Sequence, residues 1–233
     1  MSLGIIGGMG PMATAVFYEK IVSLTDAAKD QEHIDTIIYS CPQIPDRTAF
    51  FLGQSTEDPY PMILGLAKKL EEQKVEAIAI PCITAAFFET ALSRDISIPV
   101  YNGINETAQL LKDKGVKSAG ILATEGSIRN RLIATSLENA GITPVEPDFE
   151  HQKMVTSIIY DQVKSGNEVD LQKLFTVAEH LQDKGAEVFI LGCTELSVVA
   201  HHHPLGDLFV DILDVLAEVS VRACGKNVKR KYW

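Results

Sequence analysis

The chain has 233 residues, 46% of them hydrophobic, and its 21 Lys+Arg against 31 Asp+Glu leave a formal net charge of -10. That balance disfavours nucleic acid and anionic membrane surfaces as partners, and no apolar run approaches the roughly 18 residues of a membrane span. Cys41, Cys82, Cys193 and Cys224 are widely spaced and fit neither a disulfide framework nor a metal-ligand pattern, so reduced thiols in a cytoplasmic protein are expected. The apolar start gives way at once to glycines and lacks a basic lead, unlike a signal peptide. One short basic cluster stands out, Lys229-Arg230-Lys231.

Residues 3–8 read as a strand running into Gly7-Gly8-Met9-Gly10-Pro11. An amphipathic helix with Ala13, Phe17, Ile21 and Leu24 follows, with Pro11 at its first position. Gly8 to Ala13 also fits the loose dinucleotide pattern G-x-G-x-x-A, with Asp35 as a ribose partner; Pro11 inside the loop speaks against it. The glycines otherwise supply backbone N–H groups to a carboxylate. A strand at 35–40 feeds a proline-punctuated loop, Cys41 to Thr48, in which Arg47 is either a bidentate carboxylate holder or a solvated surface residue. A helix at 61–74 and a strand at 76–80 then deliver Cys82, and a helix runs from Ala85 to about Arg94.

After Asn102 the pattern restarts. A helix at 104–114 precedes a strand at 118–123 whose Gly120-Ile121-Leu122 echoes Gly4-Ile5-Ile6. The strand ends in Thr124-Glu125-Gly126-Ser127. A helix to Ala140, a short strand at 142–145 and a helix at 152–164 follow; Lys164 sits at that helix end, where a cation is locally stabilised. A helix at 171–184 leads to a second thiol strand and Cys193. His201-His202-His203 point in three directions on the next helix and do not make a metal site by themselves. The last helix spans 211–224. Two lobes are expected, 1–101 plus 207–233, and 102–206.

The strongest signal is internal repetition. Ala67, Leu70, Glu76 and Cys82 recur as Ala178, Leu181, Glu187 and Cys193 at a constant shift of 111 residues. Each thiol follows a short apolar strand and opens a helix, where unpaired N–H groups and the helix dipole favour thiolate. In an open parallel sheet that edge is also where ligands bind. Buried cysteines commonly serve as small apolar residues, but a matched pair suits proton transfer to and from opposite faces of one carbon, which inverts a stereocentre. A single attacking cysteine needs instead one thiol and a neighbouring base. Glu195, close after Cys193, is placed either to accept its proton or to serve as a plain helix-start carboxylate.

Gly7-Gly8-Met9-Gly10-Pro11-Met12-Ala13-Thr14, Ile44-Pro45-Asp46-Arg47-Thr48, Pro81-Cys82 and Gly192-Cys193-Thr194-Glu195 together resemble the aspartate/glutamate racemase family, closest to its aspartate racemase branch. The resemblance implies two pseudo-symmetric open-sheet α/β lobes with the active site in the cleft between them, and cofactor-free racemisation by Cys82 and Cys193 with no metal. It implies a small amino-acid substrate with a carboxylate side chain held by Arg47 and Lys164. Met9, Gly10, Ile83, Thr84, Thr124 and Thr194 would line the substrate site, and a homodimer is expected. The family usually reads Cys-Asn-Thr where this chain has Cys82-Ile83-Thr84, so an amide donor is replaced by a backbone N–H. Aspartate is the expected substrate; a broad-specificity or glutamate-preferring racemase, or a member that binds a carboxylate ligand without turnover, are the alternatives.

Overall fold

A computed structural model describes residues 1–229; Arg230 and Lys231 of the basic cluster lie outside the described residues. The chain divides into two units, Met1–Gly103 joined by the segment from Leu213, and Ile104–Ile212.

In the first unit β1 (Ser2–Gly7), β2 (Asp35–Ser40), β3 (Ala77–Ala79) and β4 (Val100–Tyr101) form a parallel sheet in the order β2-β1-β3-β4. The central strands are continuous apolar runs because helices cover both faces of such a sheet. Helix α1 (Pro11–Leu24) starts at Pro11, whose missing N–H costs nothing in a first turn. It buries Ala13, Phe17, Ile21 and Leu24, the stripe expected from spacing. Short α2 (Arg47–Phe51) is capped by Asp46, which accepts from Ala49 N–H at 3.0 Å. Helix α3 (Tyr60–Glu72) buries Ile63, Ala67 and Leu70.

The expected helix from Ala85 is instead a 3-10 segment, Ile83–Phe88, followed by α4 (Glu89–Asp95).

The second unit repeats this plan after α5 (Ile104–Asp113), with β5 (Ser118–Ala123), β6 (Thr143–Val145), β7 (Val188–Gly192) and β8 (Phe209–Asp211) in the parallel order β6-β5-β7-β8. The helix expected to run to Ala140 is two, α6 (Glu125–Arg129) and α7 (Leu132–Ala140), because Arg131 between them takes a left-handed conformation, φ 52°. Helix α8 (Phe149–Ser157) continues into a π-helical segment, Ile158–Lys164. Helix α9 (Leu171–Asp183) is capped by Asp170 and buries Leu174, Val177, Ala178 and Leu181. Helix α10 (Thr194–His202) follows β7, and α11 (Ile212–Ala223) returns the chain to the first unit.

The expected lobe boundary at 206/207 differs from this division. Strand β8 pairs with β7, so residues 207–212 stay with the second unit, and only the chain from Leu213 joins the first. There Lys20 of α1 makes an ion pair with Asp214 of α11.

The repeat is visible in the packing. A Cβ on Gly4 of β1 would come within 2.8 Å of Leu70 Cδ1, and a Cβ on Gly120 of β5 within 3.0 Å of Leu181 Cδ1. In each unit a glycine in the first strand makes room for the equivalent leucine of the helix that precedes the thiol strand.

Candidate active site

Cys82 follows β3 and Cys193 follows β7, so the two thiols occupy topologically equivalent places at the carboxyl ends of the third strands in chain order. Each residue is extended, with φ -152° at Cys82 and -143° at Cys193, and each starts a helical segment. Both are buried, 3% and 6% exposed, within the apolar clusters of their units. Burial alone would suit an inert core cysteine. The polar partners are what set these two apart.

In the first unit, Cys82 Sγ lies 3.4 Å from Thr84 Oγ1, itself buried, and Ile83 between them is 3% exposed. The short turn between β1 and α1 is closed by Thr14. Gly8 N–H donates to Thr14 Oγ1 at 2.9 Å, and Thr14 Oγ1–H donates to Gly10 O at 2.9 Å. Gly8 has φ 89°, and a Cβ there would lie 2.3 Å from Cys41 N. Only glycine fits.

Arg47 is 7% exposed, which excludes the surface-residue reading. Its guanidinium donates to Pro45 O at 2.9 Å, Ile44 O at 3.2 Å and Met9 O at 3.4 Å. It therefore braces the Met9-Gly10 loop against its own loop.

In the second unit, Cys193 Sγ–H donates to Glu195 Oε2 at 2.9 Å. The same oxygen accepts from Thr194 Oγ1 at 3.4 Å, and Lys164 Nζ stands 3.8 Å from Glu195 Oε1 and 4.5 Å from the Tyr160 ring centre. Thr194 and Glu195 are buried. Thr124, at the end of β5, caps α6 by accepting from Ser127 N–H at 3.3 Å.

The helix start was expected to favour thiolate at both positions. At Cys193 the reverse holds: burial first, then the negative charge of Glu195 and the hydrogen bond to it, push the thiol well above its ordinary value. Lys164 opposes this only in part. Desolvation and a nearby carboxylate outweigh a helix dipole worth at most about 2 kcal/mol. Cys193 is thus held as a thiol.

The structure brings Met9, Gly10, Arg47, Cys82, Ile83 and Thr84 into the first unit, and Thr124, Lys164, Cys193, Thr194 and Glu195 into the second. Of the Gly8–Ala13 stretch, Gly8, Met9 and Gly10 form the β1–α1 turn and the rest is the first turn of α1. Cys41 and Cys224 carry free thiols. His201 and His202 close α10 with their rings 5.0 Å apart, edge to face.

Residues 6–219 match the family model described as Asp/Glu/Hydantoin racemase. The chain belongs to this family. It is 27% identical over 207 residues to a broad specificity amino-acid racemase of Bacillus subtilis, covering 86% of this chain and 88% of that protein. It is 25% identical over 205 residues to a glutamate racemase of Limosilactobacillus reuteri, covering 79% of this chain and 74% of that protein. Among solved structures, an aspartate racemase of Picrophilus torridus is similar at TM-score 0.84 and 29% identity, covering 100% of this chain and 98% of that one. The fold of this racemase-family chain is α/β with two four-stranded parallel sheets. Among the described residues no helix is long and apolar enough to cross a membrane.

One group of potential metal ligands escaped the sequence reading. Asp148, His151 and His180 place a carboxylate oxygen and two ring nitrogens within 4.8 Å of one another. Asp148 announces itself in sequence as a helix cap, but nothing in the sequence pairs it with a histidine on the next helix.

Proposed function

We propose that this protein is a cofactor-independent amino-acid racemase in which Cys82 and Cys193 act as a proton-transferring pair on opposite faces of one substrate α-carbon. The observation that carries the reading is the equivalence of the two thiols: each ends the corresponding strand of its sheet and has its own polar partner, Thr84 or Glu195.

In one direction Cys82, as thiolate, takes the α-proton. The electron pair left on carbon is stabilised by hydrogen-bond donors around the α-carboxylate, and Cys193 delivers its proton to the other face. Cys82 ends protonated and Cys193 as thiolate, and the reverse direction exchanges the roles. A positioned acid or base supplies about 10² to 10⁴ in rate; donors fixed at the developing charge usually supply more. Glu195 accepts the hydrogen bond of Cys193 whenever that thiol carries its proton.

Aspartate is the substrate this reading favours, with Arg47 and Lys164 as its carboxylate partners and Met9, Gly10, Thr84, Thr124 and Thr194 around it. A broader substrate range is a second reading, supported by buried Ile83, which offers no side-chain donor, and by the similarity to a broad specificity racemase.

The test is incubation with each enantiomer of aspartate, glutamate and a panel of other amino acids in heavy water. Expected is deuterium at the α-carbon and loss of optical purity, both abolished in Cys82→Ala and in Cys193→Ala. Exchange that persists in the double variant would refute the two-thiol scheme, and ligand-induced stabilisation without exchange would select a binding protein instead.

A further inference from the structure

Asp148 caps α8: its Oδ1 accepts from His151 N–H at 3.0 Å and lies 2.7 Å from His151 Nδ1. Those two contacts occupy one oxygen. The other, Oδ2, lies 3.5 Å from Nε2 of His180, which stands in the last turn of α9. The two imidazoles stack face to face, centroids 3.8 Å apart and planes 8° from parallel. His180 Nε2 is buried and makes no hydrogen bond.

A helix cap requires the carboxylate alone, so capping does not explain two histidines gathered on it. A buried ring nitrogen without a hydrogen bond is costly, and a Lewis acid that accepts its lone pair removes that cost. The 3.5 Å from Asp148 Oδ2 to His180 Nε2 is close to the roughly 3.4 Å spanned by two metal–ligand bonds of about 2.0–2.1 Å at a tetrahedral angle. His151 would complete the set by giving up its side-chain contact with Asp148. Two parallel rings cannot aim in-plane lone pairs at one ion, so the stack must open as it binds.

We propose that Asp148, His151 and His180 form a binding site for a zinc-class divalent cation, with two imidazole nitrogens and one carboxylate oxygen as ligands and the fourth position left to water. Access is through Asp148, the ligand of the three that borders a cavity of about 360 Å³, with Phe149, Gln152 and Lys153, and whose side chain is 52% exposed. The ion would tie the start of α8 to the end of α9. Gln152, next to His151, donates to Ala123 O at 2.9 Å, so this tie reaches the strand end that carries Thr124.

The test is calorimetric titration of the reduced full-length protein with zinc, alongside thermal melting with and without the ion. Thiols and imidazoles anywhere on a chain have some affinity for zinc, so the comparison is between variants. His180→Phe keeps a stacking ring and removes both nitrogens; Asp148→Asn keeps a cap and removes the charge. The wild type is expected to bind one more equivalent of zinc than either variant, and zinc to raise its melting temperature more than theirs. Equal stoichiometry in all three proteins, or loss of that equivalent only when His201, His202 and His203 are replaced by alanine, would overturn the proposal.

Discussion

The thiol of Cys193 donates to Glu195 Oε2 at 2.9 Å inside a buried setting, and burial and the carboxylate together keep it protonated. Glu195→Gln keeps the size and an acceptor oxygen while removing the charge. Alkylation of Cys193 followed against pH should then show its midpoint at lower pH than in the wild type. Racemisation should fall by roughly 10²-fold, the lower end for a group that manages a proton in the transition state. An unchanged alkylation profile would show that burial alone sets the thiol.

The same raised value has a consequence for stability. The unfolded chain ionises this thiol near its ordinary value of 9.0 while the folded chain still holds the proton, so the unfolded state binds fewer protons and stability falls as pH rises beyond about 9. In Cys193→Ser, which has no thiol to ionise, denaturation midpoints should decline less over that alkaline range.

Asp148 gives the opposite sign. The hydrogen bonds from the backbone and side chain of His151 lower its carboxyl from 3.8 to about 2. Its contribution is therefore complete above the unfolded value and disappears as pH falls from about 4 to about 2. Asp148→Ala should flatten the acid limb of a melting-temperature profile between those limits and leave the alkaline limb unchanged.

Ile83 occupies a buried place beside Cys82. Ile83→Asn restores a side-chain amide, and kcat/KM for aspartate should rise about tenfold, the effect of one added hydrogen bond of about 1.4 kcal/mol. The same change puts an amide at a buried position and should lower folding stability. Activity that falls for every amino acid tested would mean that Ile83 shapes the pocket rather than its selectivity.

Lys20 and Asp214, with side chains 8% and 18% exposed, join α1 to the returning helix α11. Asp214→Ala should cost roughly 2–3 kcal/mol in chemical denaturation, the range for a charged hydrogen bond in a part-buried pair. Gly8→Ala places a methyl against the backbone of Cys41 at φ 89°, where no side chain can swing aside. It should cost at least about 2 kcal/mol, more than Gly120→Ala, whose new Cβ meets only side-chain carbons of Leu181 and Phe189.

The duplicated plan was legible because it is a one-dimensional fact. Glycine in the first strand, leucine in the helix before the thiol and cysteine after the third strand recur in order, and local periodicity reads each element they stand in. Strand β8 was missed because its Phe209–Asp211 run is three residues long and acquires its character only by pairing with β7. The break between α6 and α7 was missed because nothing in the local composition announces that Arg131 turns left-handed.

The amino-acid order determined the family, the two α/β units and the matched thiols, since repeats, caps and apolar spacing are carried by near neighbours along the chain. Packing decided the rest. It turned Arg47 inward onto three backbone carbonyls, brought Lys164 to Glu195, stacked His151 on His180 and reversed the expected ionisation of Cys193. Arg47 to Met9, Lys164 to Glu195 and His151 to His180 join residues far apart in sequence, and the desolvation that shifts Cys193 comes from burial; both exist only once the chain has folded.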